Sequence, residues 1–421
     1  MKKRRWIFVV MAMVFLVSLS ADLWALHQIM PWRDNKAGAV SLTFDDNNPI
    51  HLSFAIPGVE SRGFKGTFFL VTSGVWDWAP WVAAASSGHE LGSHAVTHSD
   101  LTLLPVNQAK AEIDSSKAAI ESALGGDKCV SFAYPYGTSN DTIKGLVQSA
   151  GYISARGVGC ALNGPPYDFY NLHSCYPELG ITLDQMKGYT DMAAQQGKWL
   201  VTLFHYFDGW YGSWLEPDFI AYLDYLHGKN VWVAPAGSVA KYIHEREAAS
   251  VYLVYETADE IELELTASAL DPAAYDEPLT IRSQVPSHWT KVKVHQGWVE
   301  TTVVPVNEGG STVIYYDAVP NDGLIVLTNA GFPAPVIAYI QPSWAKASTS
   351  GFYMMVYGSG FTRTSIVRMG QMQRRTTYVS PTQLRAWIMP SDLSKPRVWT
   401  ITVIDHAQGG VVSNGVTFTV R

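Results

Sequence analysis

Residues 39–46 read AVSLTFDD, a short β-forming run that ends in two adjacent carboxylates. A β-forming run of this length, bounded by polar residues, suits a short strand. Similar runs follow at 65–71 (KGTFFLV), 89–95 (HELGSHA), 129–135 (CVSFAYP), 152–158 (YISARGV), 199–206 (WLVTLFHY) and 231–236 (VWVAPA). Helix-like stretches lie between them, the clearest at 105–123 and 182–196. This alternation predicts βα units around a parallel sheet, and seven such units favour a barrel over an open sheet.

Beyond residue 250 the pattern changes. Segments such as VYLVYE (251–256), IELELTA (261–267) and GLIVLTN (323–329) alternate with Pro and Gly turns. The linker NAGFPAP (329–335) then leads into a second all-β stretch. The expected organisation is an export signal at 1–25, an α/β domain at 38–248, a β-sandwich-like module at 250–330 and a further one at 335–421. A chain of 421 residues accommodates several cores.

Composition narrows the function. The net charge is −7, and the basic residues form no long run outside the first five positions. Phosphate binding needs a basic face, so no nucleic-acid partner is expected. Lys2, Lys3, Arg4 and Arg5 precede an apolar run from Trp6 to Leu19 and then small residues, the order of a secretory signal peptide. The run falls short of the ~20 residues needed to span a bilayer. Export to the periplasm or exterior is expected, with no stable membrane span after cleavage. The three cysteines, Cys129, Cys160 and Cys175, have no zinc-knuckle spacing and read as structural. Export permits a disulfide, and pairing Cys160 with Cys175 would close a short loop.

The polar residues of the α/β region gather at the C-terminal ends of the expected strands: Asp45 and Asp46, His94, Tyr136, Arg156 and His205. In a parallel barrel that edge brings side chains of different strands together. His94 and His98, four apart in GSHAVTH, would share a face on a helical turn. With a carboxylate they make a metal set that leaves positions open for water. Asp45 and His205 offer a base and an acid.

TFDD (43–46), GHELGSHAVTH (88–98), FAYPYG (132–137) and LFH (203–205) together resemble the ordered motifs of the polysaccharide deacetylases, carbohydrate esterase family four. The resemblance implies a distorted (β/α) barrel and a divalent metal ion, zinc above others, held by Asp46, His94 and His98. It implies Asp45 as general base, His205 as general acid, Leu203 in the acetyl-methyl pocket and the backbone N–H of Tyr136 at the oxyanion. The substrate implied is an N-acetylated, or O-acetylated, polysaccharide or oligosaccharide.

Two family features are missing. The Arg that orients the base is replaced by Ala133, and the acidic-Trp motif is not recognisable. Arg156, near the end of the next strand, is the expected substitute. Trp210 and Trp214 in GWYGSW are expected sugar contacts on the rim. The stretch 335–420 resembles an IPT/TIG immunoglobulin-like domain through PVIAYIQP, VYGSGF, VSPTQLRAWIMPSDL and VSNGVTFTV. Such modules serve as spacers or bind cell-wall or other polymers. A non-catalytic carbohydrate-binding protein on a degenerate deacetylase scaffold is the competing reading. A serine esterase is disfavoured because no G-x-S-x-G element occurs.

Overall fold

The computed structural model describes residues 26–421 except 269, 273, 332, 333 and 406–410. The expected export signal at 1–25 lies outside the described residues. Among those described, no helix is long and apolar enough to cross a membrane.

Seven strands form the α/β sheet: Gly38–Asp45, Thr67–Leu70, Glu90–Ser93, Ser131–Ala133, Ser154–Arg156, Trp199–Phe204 and Val231–Val233. The first is central. On one edge it pairs in parallel with Trp199–Phe204 along Ala39–Phe44. Its other edge is shared: Gly38–Val40 pairs with Val231–Val233, and Thr43–Asp45 with Thr67–Phe69. The second to fifth strands continue outward in chain order. Every residue of the first strand is buried, the polar Ser41, Thr43 and Asp45 as well as the apolar residues between them.

The sheet curls without closing through strand pairing. The fifth and sixth strands are joined instead by the loop between them, through the isolated bridges Arg156–Leu172 and Cys175–Thr202. A Cys160–Cys175 disulfide ties that loop, and Cys129 is a buried free thiol. The architecture is therefore a distorted, incomplete (β/α) barrel.

Several strands are shorter than their apolar runs. The last stops at Val233 because Pro235 leads into the helix Ala236–Ala248. The third stops at Ser93, just before Ala95 takes a positive φ of 62°. Helices Val106–Leu124 and Leu183–Gln196 stand where the sequence pattern put them. A capping box starts the second of these, with Thr182 and Gln185 exchanging hydrogen bonds. Between sheet and helices, Phe44 stacks on Phe68 at 4.7 Å and meets Phe219 edge-on at 6.0 Å. Burying each such ring is worth roughly 1.5–3 kcal/mol.

The chain divides into two compact units. The first joins residues 26–252 with 264–282 and 315–323; the second is drawn from 253–263, 283–314 and 324–421. Within the first, Arg33 pairs with Glu277 at 2.6 Å and Asp317 at 3.3 Å, and the Tyr242 hydroxyl donates to the Met30 carbonyl at 2.9 Å. The region after 250 is built of antiparallel β sheets. In its last part, Val336–Gln341, Phe352–Ser359, Gln383–Ile388 and Thr376–Ser380 make one sheet. A second is built around Ser365–Met369, Arg397–Asp405 and Val416–Val420. Met354, Val356 and Leu384 from the first share a core with Val367, Ile401 and Phe418 from the second.

Candidate active site

Chain reversals at the strand ends bring the polar residues together. Asp45 is the last residue of the first strand, and the chain turns immediately, with φ of 73° at Asp46 and 50° at Asn47. The Asn47 amide locks this turn to the next strand end, donating to the Val71 carbonyl at 2.7 Å and accepting from its N–H at 2.8 Å. Asp and Asn tolerate the left-handed region better than most residues.

His94 and His98 do not share a helical turn, contrary to the expectation from their spacing. They lie on a loop with positive φ at Ala95 and at His98 itself (60°), which brings the two rings to 4.6 Å. Glu112, on the helix Val106–Leu124, holds this loop. Its carboxylate accepts from the N–H groups of Val96 and Thr97, at 2.9 and 2.8 Å, and from the Thr97 hydroxyl at 2.8 Å.

Asp46 Oδ1 lies 3.6 Å from His94 Nε2 and 3.5 Å from His98 Nε2, and one ligand atom from each residue falls within 4.8 Å of the others. His94 Nδ1 is engaged with the Ala133 carbonyl at 2.8 Å, which leaves Nε2 as the free lone pair. Burial pushes the His94 pKa below its ordinary value against the pull of Asp45 and Asp46, which favours the neutral ring that a metal ligand needs. Two imidazoles and a carboxylate facing one cavity are a donor set suited to a divalent ion.

Asp45 is 2% exposed. Burial alone would raise its pKa, but the charge of Arg156, with His94 and His205 behind it, takes the carboxyl below the usual range. The guanidinium of Arg156 donates to Asp45 Oδ1 and lies 4.8 Å above the Phe69 ring. In the sheet register Arg156 is the partner of Ala133, so it reaches Asp45 from the strand beside the position where the family's Arg is missing.

His205 follows the sixth strand, and its Nδ1 contacts Glu178 Oε1 at 3.2 Å. Burial opposes the imidazolium, yet the Glu178 hydrogen bond and the nearby carboxylates raise its pKa above the ordinary value. The sequence reading did not identify Glu178. It sits in YPELG, on the loop between the fifth and sixth strands, where no periodic or motif signal marks it. Glu112 was missed likewise, being one carboxylate among several on a solvent-facing helix.

These groups line a cavity of ≈ 370 Å³ with Asp45, Asp46, His94, His98, Arg156 and His205 on its polar side and Leu203, Val158 and Tyr176 beside them. Tyr136, also in the lining, has φ of 60° and sets its ring edge-on to His98 at 4.6 Å. Trp210 is 54% exposed and lies against Tyr206, itself next to His205. Trp214 is different: it is 7% exposed, packs on Phe204 and Tyr222, and donates its indole N–H to the Ile181 carbonyl. Its place is in the core, which corrects the expectation of a sugar contact there.

Residues 33–155 match the family model of the polysaccharide deacetylases. Arg156, Leu203, His205 and Trp210 lie beyond the matched stretch. A gellan lyase from a Bacillus species is 26% identical over 341 residues, 74% of this chain but 14% of that protein. A bifunctional xylanase/deacetylase from Pseudobutyrivibrio xylanivorans is 31% identical over 106 residues, 25% of this chain and 17% of its own. The chain thus spans under a fifth of either relative's length. Among solved structures, the family 4 carbohydrate esterase from Streptomyces lividans, in complex with acetate, is 22% identical. It covers 47% of this chain and 92% of its own, with a TM-score of 0.37.

Proposed function

We propose that the protein is an exported, metal-dependent hydrolase that removes acetyl groups from the N-acetylated or O-acetylated sugars of a polysaccharide. One observation carries the reading: a metal donor set, an ionised carboxylate and a carboxylate-backed histidine face a single cavity. A divalent ion held by Asp46, His94 and His98, with zinc the best match to that donor set, supplies Lewis acidity to the acetyl carbonyl and to water.

The protein's own residues divide the remaining work. Asp45, kept ionised by Arg156, takes the proton of the attacking water. The backbone N–H of Tyr136 faces the oxygen on which charge develops. Leu203 offers an apolar wall to the acetyl methyl group. His205, whose imidazolium the Glu178 carboxylate favours, delivers a proton to the departing amine or alkoxide. One group is pushed toward its charged base form and the other toward its acid form, the separation that acid–base hydrolysis requires. Trp210 extends the site toward a longer sugar chain. Trp214 has no part in it.

The gellan lyase activity belongs to a protein of which the shared segment is 14%, and it is not carried over to this chain. The competing reading, a sugar-binding relic, fits poorly with a site where base, acid and all three donors persist with charged partners. We assign the signal at 1–25 to export, 38–248 to catalysis, and the modules at 250–330 and 335–421, the latter IPT/TIG-like, to polymer contact. Acetate release from acetylated chitin oligomers, peptidoglycan and xylan, with and without chelator, tests the activity. Chelator-insensitive release, or none after metal is added back, refutes it.

A further inference from the structure

Charge is distributed unevenly along the chain. Residues 335–421 hold nine lysines and arginines against two aspartates and no glutamate, a net +7, leaving −14 for the first 334 residues. Both aspartates are spent internally. Asp392 is buried and takes two hydrogen bonds from Arg374, at 2.9 and 2.6 Å, and Asp405 is buried among the hydroxyls of Thr362, Thr364 and Ser365. The side-chain charge this module offers to solvent is therefore wholly cationic.

Part of that charge lies on a patterned sheet face. In the sheet of Val336–Gln341, Phe352–Ser359, Gln383–Ile388 and Thr376–Ser380, alternate residues fill the core and their neighbours face outward. The register sets the outward residues in rows. Tyr353 stands opposite Trp387, whose backbone N–H in turn meets the Arg375 carbonyl. Arg385 lies between Thr377 and Met355, and its guanidinium rests 4.6 Å over the Tyr353 ring. Tyr339 and Tyr357 stack at 4.5 Å in a further row, ~13 Å along the strand. Tyr339 and Tyr353 are 53% and 46% exposed.

We infer that this face binds an acidic polysaccharide, a chain bearing carboxylates such as uronic acids. Sugar rings lie on the tyrosine and tryptophan faces, and carboxylates meet Arg385 and Arg375 through charge-assisted hydrogen bonds. The inference rests on the reading of the barrel as acting on a glycan, and it narrows that glycan to an anionic one. Aromatic rows alone would serve a neutral polymer; the absence of any outward carboxylate selects an anion.

Binding of the full chain to polygalacturonate is compared with binding to its carboxyl-reduced, neutral form, to single-stranded DNA and to anionic phospholipid vesicles. The expected result is binding to polygalacturonate that weakens with salt and falls about tenfold or more for the reduced polymer. The variant Arg375→Gln/Arg385→Gln should lose a similar factor, and Tyr353→Ala should lose affinity for both polymers. The arginine pair lies on the surface, so that variant folds even if the aromatic one does not. Equal affinity for the neutral polymer, no effect of the arginine pair, tighter binding of DNA or vesicles, or no binding at all would each overturn the inference. Acetate release from a small acetylated sugar, measured on the same proteins, separates the two readings. Its absence with uronate binding intact refutes the barrel's role alone; its presence with uronate binding absent refutes this one alone.

Discussion

Arg156→Ala removes one member of an ion pair whose two side chains are each 3% exposed. Deleting one partner of such a pair strands the other charge away from water, a loss of about 3–5 kcal/mol in comparable cases. In the wild type, the depressed Asp45 pKa contributes stability present above the unfolded value and lost as pH falls through the folded one. Without the guanidinium, burial is the largest remaining influence and raises the pKa. The variant should therefore be most destabilised near neutral pH and approach the wild type in acid, where Asp45 is protonated. Denaturant midpoints across pH, with metal content checked for both proteins, measure this. Turnover should fall by about 10–100-fold. The acidic limb of the pH–rate profile should move upward, because the base is protonated at higher pH. Adding Ala133→Arg from the paired strand position should recover part of the loss. A variant that unfolds with the wild-type midpoint and keeps the wild-type acidic limb would refute the reasoning.

Glu178→Gln removes the carboxylate that raises the His205 pKa, so the basic limb of the pH–rate profile should shift to lower pH; an unmoved limb would rule out the pairing. His94→Ala should lose its divalent ion by elemental analysis, whereas Asp45→Asn should keep the ion and lose turnover by about 10²-fold or more. Burial pushes Glu245 up to about 8, so it costs stability progressively as pH rises from the unfolded carboxyl pKa toward that value. Glu245→Gln should accordingly gain in melting temperature over the wild type at pH 8 more than at pH 4. A chain ending at Ala330 should release acetate from a small soluble substrate. One ending at Ala248 loses Glu277 and Asp317, the partners of Arg33, and should melt earlier.

The barrel was legible because short β-forming runs such as AVSLTFD recur between helix-like stretches, with polar residues gathered at their C-terminal ends. The metal donors and the proposed acid and base could be read because each stands at or near the end of an expected strand, within a motif that resembles the deacetylases. Glu178 was not legible: it reaches His205 from 27 residues away through an irregular loop tied by a disulfide. Nor was the loop carrying His94 and His98, since an i, i+4 spacing fits a helix as well as a turn with positive φ. Trp210 and Trp214 look alike in the sequence, yet the second is buried by contacts with Phe204 and Tyr222 that only the fold supplies. The division into units also escaped a linear reading, because residues 264–282 and 315–323 return to the barrel's unit from within an otherwise separate β region.

The central claim is that Asp46, His94 and His98 hold an ion that works with Asp45 and His205 to release acetate from a glycan. Its most direct test is acetate release from a panel of acetylated polysaccharides by metal-depleted protein, titrated with zinc. The account predicts no release from the depleted protein and recovery that saturates at one ion per chain, with Asp45→Asn binding the ion but remaining inactive. Full activity of the depleted protein, or recovery in Asp45→Asn equal to the wild type, would contradict it.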